Sequence, residues 1–148
     1  MDPLTILGAV QGGIGAATEI LKTLNETVVA AERAFTIPDR ALATIRDVHM
    51  IRSSLVAFER LQENISSVPS DRLSYIPLED AKNTLINCVA SLDGLEDVLR
   101  PLTDAELDAP SLGDCLRKIM ESERTAGLSK RVSNSQCSLA LMLTIMHQ

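Results

Sequence analysis

Residues 78–102 read LEDAKNTLINCVASLDGLEDVLRPL, and this stretch decides the fold. Leu78, Ala81, Leu85, Cys88, Leu92, Leu95, Leu99 and Leu102 recur at steps of three and four residues. That spacing puts an apolar stripe along one side of an α-helix, close to the heptad of a helical bundle. Glu96 and Asp97 fall between the apolar positions and read as solvated surface. Pro77 fits a helix start, and Glu79 and Asp80 stand in the first turn, where the helix dipole favours acids. Arg100-Pro101 stops the helix, because proline lacks the N–H that an interior turn needs.

The flanking segments obey the same period. A helix is expected from Pro38-Asp39 onward, with Leu42, Ile45, Val48, Ile51, Leu55, Phe58, Leu61 and Ile65 on one side. Arg46, Asp47, Arg52, Glu59 and Arg60 fill its gaps. Before it, a helix starting at Pro3 with Asp2 as its cap carries Leu4, Ile6, Leu7, Val10, Ile14, Ile20, Leu21, Leu24 and Val28. It runs to about Phe35 or breaks near Asn25. A fourth helix is expected from Ser111 through Leu112, Cys115, Leu116, Ile119 and Met120, ending near Ala126-Gly127. A last helix begins near Ser129, and its end, residues 139–146, is apolar on every face. Such a segment is buried or awaits a partner. No interval alternates at period two, so no strand is expected. The expected fold is all-α: one domain over residues 1–148, an antiparallel bundle of four to six helices with no sheet. The chain stops at Gln148 without a cap or polar tail, so it reads as the N-terminal part of a longer protein.

Composition removes several function classes. The only aromatics are Phe35, Phe58 and Tyr75. Sandwich and barrel cores draw on aromatics, and single-strand nucleic-acid platforms stack bases on them. The net charge of −6 opposes phosphate backbones, so no nucleic-acid partner is expected. Residues 71–110 hold nine acids and three bases, whereas residues 111–148 hold three acids and five bases. Cys88, Cys115 and Cys137 are odd in number and widely spaced. They form no disulfide framework and are expected to be small apolar fillers in a reducing, cytoplasmic setting. Met1-Asp2-Pro3 places an acid where a secretion signal carries positive charge.

Catalytic signatures are absent. His49 lies beside the apolar stripe of its helix, and His147 is one residue from the end. Neither belongs to a metal-binding spacing or faces a positioned nucleophile. The pairs Glu79-Asp80 and Glu96-Asp97 read as solvated helix surface. The chain is therefore expected to be no enzyme, with no catalytic residues, no cofactor and no metal.

The glycines are more informative. Gly8, Gly12, Gly13 and Gly15 crowd into a stretch, residues 3–18, that carries no charge. A phosphate-binding loop is excluded, because no GxxxxGK[ST] motif and no preceding strand exist. As a helix, the same stretch has small residues four apart: Gly8/Gly12/Ala16 and Ala9/Gly13/Ala17. Such ridges let helices approach closely. They serve either packing inside the bundle or a segment released for assembly or lipid insertion. Its sixteen residues would span about 24 Å as a helix, short of a ~30 Å hydrocarbon core.

The opening Met1-Asp2-Pro3-Leu4-Thr5-Ile6-Leu7-Gly8-Ala9-Val10 resembles the start of the fungal N-terminal domain of STAND, or NOD-like receptor, proteins, known also by an azaphilone-pigment-cluster name. Gly127-Leu128-Ser129-Lys130-Arg131 followed by residues 138–143 resembles that domain's last helix. The domain is similar in style to the HeLo and HeLo-like domains. The resemblance implies a helical bundle acting in regulated cell death, in which oligomerisation frees the N-terminal helix to attack a membrane. It places the membrane or assembly segment at Leu4, Ile6, Leu7, Gly8, Val10, Gly12, Gly13, Ile14 and Gly15. The expected function is thus a signalling effector, cytoplasmic and recruited to the plasma membrane on activation. The alternative is a soluble adaptor that binds itself or another helical domain without membrane activity. Its expected helix-packing interface is Leu85, Leu92, Leu95, Leu99, Leu139 and Leu143.

Overall fold

The structure, a computed structural model, describes the backbone of residues 3–63, 78–104 and 106–147 and the side chains of residues 8–60, 82–104 and 106–145. Among these residues every regular element is helical, as the apolar spacing predicts. The order is α1 (Pro3–Ala31), α2 (Asp39–Glu63), α3 (Leu78–Leu99), a 3-10 turn (Arg100–Thr103), α4 (Ala109–Glu121) and α5 (Glu123–His147). The Asp2 cap, Tyr75 and the start at Pro77 lie outside the described residues.

The four long helices close a ring. α1 lies against α2 and α3, and α5 lies against the same two neighbours. The position of a side chain on Gly13 falls between Leu55 of α2 and Val89 of α3. Further along, Arg52 Nε donates to Thr18 Oγ1 at 3.0 Å, so α1 and α2 run antiparallel. Glu19, Ile20 and Thr23 share a hollow with Glu96, Leu99 and Arg100, so α1 and α3 run in the same direction. Gly94 meets Leu128, whereas Thr84 lines a groove with Ser138, so α3 and α5 run antiparallel. The bundle is two antiparallel pairs laid side by side. α4 packs at the end of the ring where α1 and α3 finish.

α1 does not break at Asn25; it continues to Ala31. Leu24, Thr27 and Ala31 are all buried there, and Thr27 Oγ1 donates to Thr23 O at 2.7 Å. The α3 stripe behaves as its spacing requires: Leu85, Cys88, Leu92, Leu95 and Leu99 are at most 1% exposed. Leu102 continues the stripe from the 3-10 turn into the same core. Burying each such side chain stabilises the fold by about 1.5–3 kcal/mol.

The last two helices divide at Ser122, not at Ala126-Gly127. Ser122 has extended backbone (φ −69°, ψ 146°) and ends α4. Its hydroxyl accepts from Thr125 N at 3.1 Å and so caps α5. Gly127 lies inside α5, with no positive φ and nothing near its Cβ position. The boundary is set by the serine hydroxyl and not by the glycine. At the other end of α4, Asp108 accepts from Ser111 N at 2.8 Å. The Ser111 hydroxyl, and then the Ser111 N–H, hold the Asp108 carboxyl below its ordinary range. This cap's stabilisation is complete above the ordinary carboxylate range and is lost as pH falls through the lowered folded value. The Arg40 guanidinium of α2 donates to Met120 O, which satisfies a carbonyl at the α4 terminus.

Residues 139–146 are not apolar on a free surface. Leu139 is fully buried and Met142 and Leu143 pack against the core, while Leu141 is 63% exposed. One side of this segment therefore has its partner inside the chain.

Urea denaturation of single variants checks this packing. Leu92→Ala removes a fully buried side chain and is expected to cost about 2–5 kcal/mol. Gly113→Ala places a methyl 2.5 Å from Phe35 Cγ and 2.7 Å from its Cβ. It is expected to cost about 1–3 kcal/mol by overpacking. Gly12→Ala and Gly127→Ala meet nothing within 4 Å and should each stabilise by about 1 kcal/mol. Destabilisation by Gly12→Ala at low micromolar protein would contradict the placement of α1.

Candidate functional site

The glycine-rich stretch lies wholly within α1, and the structure divides its small residues between two faces. Gly13 and Ala17 are buried and Ala9 is half-buried, so the Ala9/Gly13/Ala17 ridge faces inward. A Cβ on Gly13 would stand 2.9 Å from Leu55 Cδ1 and 3.3 Å from Val89 Cγ2. This ridge is used to bring α1 against α2 and α3 together. Val10, Ala16, Ile20 and Leu24 share the inward face. Ile14 is half-buried at its border.

The outward face is different. Gly8, Gly12 and Gly15 are exposed, and a Cβ built on any of them meets nothing within 4 Å. Gln11 lies exposed among them. Among the described residues no contact requires glycine at these three positions. Each weakens an isolated helix by about 1 kcal/mol relative to alanine, so the packed inner face must hold α1 helical. The predicted ridge Gly8/Gly12/Ala16 therefore straddles the two faces: Ala16 is only 6% exposed, and Gly15 takes its place outside. The side chains of Leu4, Ile6 and Leu7 lie outside the described residues. Among the described residues no helix is long and apolar enough to cross a membrane.

The other predicted set has an internal destination. Leu85, Leu92, Leu95, Leu99 and Leu139 lie in the chain's own core, and Leu143 packs against it. They join α3 and α5 to their neighbours within the bundle. With the bundle closed, none of the five buried leucines is available to a second protein.

The remaining chemical groups are dispersed. His49 is exposed on α2. Among the described residues no cluster of His, Cys, Asp and Glu has the makings of a metal site. On α4, Asp114 pairs with Lys118 at 3.2 Å and Arg117 at 2.5 Å. The Lys118 ammonium, and then Arg117, hold the Asp114 carboxyl below its ordinary range. The three thiols differ. Burial pushes Cys88 up to about 12, and burial also raises Cys115. Cys137 is exposed, so the expectation that every cysteine fills a core holds for Cys88 and fails for Cys137. Sequence reading also missed a polar groove between α3 and α5, because its lining comes from two helices far apart in the chain and carries no motif.

Thiol labelling of the native protein should follow this order. Cys137 is expected to react first, Cys115 more slowly, and Cys88 only on unfolding, because the thiolate is the reactive form. Mass spectrometry of the labelled peptides reads the order directly. Labelling of Cys88 at the rate of Cys137 in native buffer would contradict the burial of the α3 stripe.

Compared with protein-family models, curated proteins and solved structures, the chain matches none.

Proposed function

We propose that this helical bundle is a non-enzymatic signalling domain that acts by self-assembly, with the outward glycine ridge of α1 as the contact. The observation that carries this reading is the ridge itself. Gly8, Gly12 and Gly15 leave a small-residue surface, uncovered among the described residues, on the helix that organises the bundle. Among the described residues no neighbour makes use of these three glycines, and each weakens the helix. A helix approaching that face could come as close as glycine permits, and a second copy of α1 offers the same small surface in return. The resemblance of residues 1–10 to the N-terminal domains of fungal NOD-like receptors supports the same reading, since those domains act through oligomerisation. The compartment that fits is the cytoplasm.

The uncharged run over residues 3–18 favours a second reading, in which assembly releases α1 for insertion at the plasma membrane. Release would expose Val10, Ala16, Ala17, Ile20 and Leu24, so that step needs a strong competing partner. The soluble adaptor reading needs only the ridge.

Sedimentation velocity from roughly micromolar to millimolar protein tests assembly, the range in which weak specific association falls. The wild type is expected to associate with rising concentration, and Gly12→Leu is expected to stay monomeric and folded. A wild type that remains strictly monomeric would overturn the proposal. Dye release from anionic vesicles separates the two readings. Leakage that requires residues 1–20 supports insertion, and assembly without leakage supports the adaptor.

A further inference from the structure

α3 and α5 meet along a groove of about 430 Å³. Its exposed rims carry Asn87 and Ala90 on α3, and Arg131, Asn134 and Ser138 on α5. Its buried floor is made by Ser91 and Ser135. Among the described residues no carboxylate lines it. In a chain with a net charge of −6, the one charged group in the lining among the described residues is Arg131. That guanidinium has no ion-pair partner among the described residues.

Ser135 is the second and independent sign. Five hydroxyl side chains are buried among the described residues: Thr27, Thr44, Ser91, Thr125 and Ser135. Thr27, Thr44 and Ser91 each donate to the carbonyl four residues earlier, at 2.7–2.8 Å. Thr125 accepts from the Ser122 hydroxyl at 2.9 Å. Ser135 alone makes no side-chain hydrogen bond, although it is only 8% exposed. A buried hydroxyl without a partner is destabilising, and it has the local option of bonding its own helix. Its unused capacity lies at the floor of a groove whose rim holds an unpaired guanidinium.

We propose that this groove binds a small monoanionic ligand that carries a carboxylate and several hydroxyls, of the sugar-acid type. Arg131 takes the carboxylate, for which its planar fork is suited. The Asn87 and Asn134 amides and the Thr84 and Ser138 hydroxyls take the ligand's hydroxyls, since each of these groups can donate and accept. Ser135 receives its missing partner from the ligand. One cation in an acidic protein selects a single negative charge and disfavours a polyanion. The volume suits a small molecule.

The test is NMR of the full chain titrated with gluconate, with sorbitol as the uncharged polyol of the same length. Gluconate is expected to give saturable shifts at Asn87, Arg131 and Ser135, with sorbitol about tenfold weaker, the equivalent of one charge-assisted bond. Arg131→Gln should weaken gluconate by about the same factor. Ser135→Ala is expected to raise the melting temperature of the ligand-free protein and to weaken gluconate binding. Absence of saturable shifts, equal binding of sorbitol, or unchanged affinity in Arg131→Gln would overturn the proposal. A Ser135→Ala variant that melts below the wild type would overturn it too, because the hydroxyl would then already have a partner.

Discussion

The bundle depends on α1 touching α2 and α3 at once. Gly13 sits between Leu55 and Val89, and a methyl there would stand 2.9 Å from Leu55 Cδ1, so that the leucine tip would have to shift. Ala16 and Ala17 keep the same face thin. With α1 seated, the opposite edges of α2 and α3 are left to α5, and the ring closes. α4 then covers one end, where Gly113 admits the Phe35 ring. The helix with the weakest intrinsic propensity in its first half thus organises the other three. Its order comes from packing and not from its own sequence.

The helices were legible because burial on one side imposes a period. In α3 each leucine expected on the inner side is there, from Leu85 to Leu99. Helix ends were less legible, because they are set by single hydrogen bonds. Ser122 divides α4 from α5 with one hydroxyl, and the more conspicuous Gly127 does nothing of the kind. Which small residues of α1 face inward was not legible either. Both ridges, Gly8/Gly12/Ala16 and Ala9/Gly13/Ala17, have the same spacing, and only the positions of α2 and α3 separate them. The α3–α5 groove left no trace in the sequence, since Thr84 and Asn87 are ordinary surface residues until Arg131 and Ser135 are brought beside them.

Stability and the proposed assembly pull α1 in different directions. Its inward glycine lies in close contact with Leu55 and Val89, while its outward glycines are a cost that the fold must carry. The same helix is uncharged from residue 3 to residue 18, although Gln11, Gly12 and Gly15 face solvent. A solvated helix face ordinarily carries Lys or Glu, as α1 itself does at Glu19 and Lys22. The lack of charge over the glycine ridge is what a close helix contact requires, because a desolvated charge there would oppose it.

Disulfide trapping on that ridge is the most direct measurement. Gln11→Cys, in a chain with Cys137 and Cys115 replaced by serine, puts one exposed thiol in the centre of the ridge. Mild oxidation is expected to give covalent dimers, and Asn83→Cys on the outer side of α3 is expected to stay monomeric under the same conditions. Equal dimer yields at the two positions, or none at Gln11, would contradict assembly through α1.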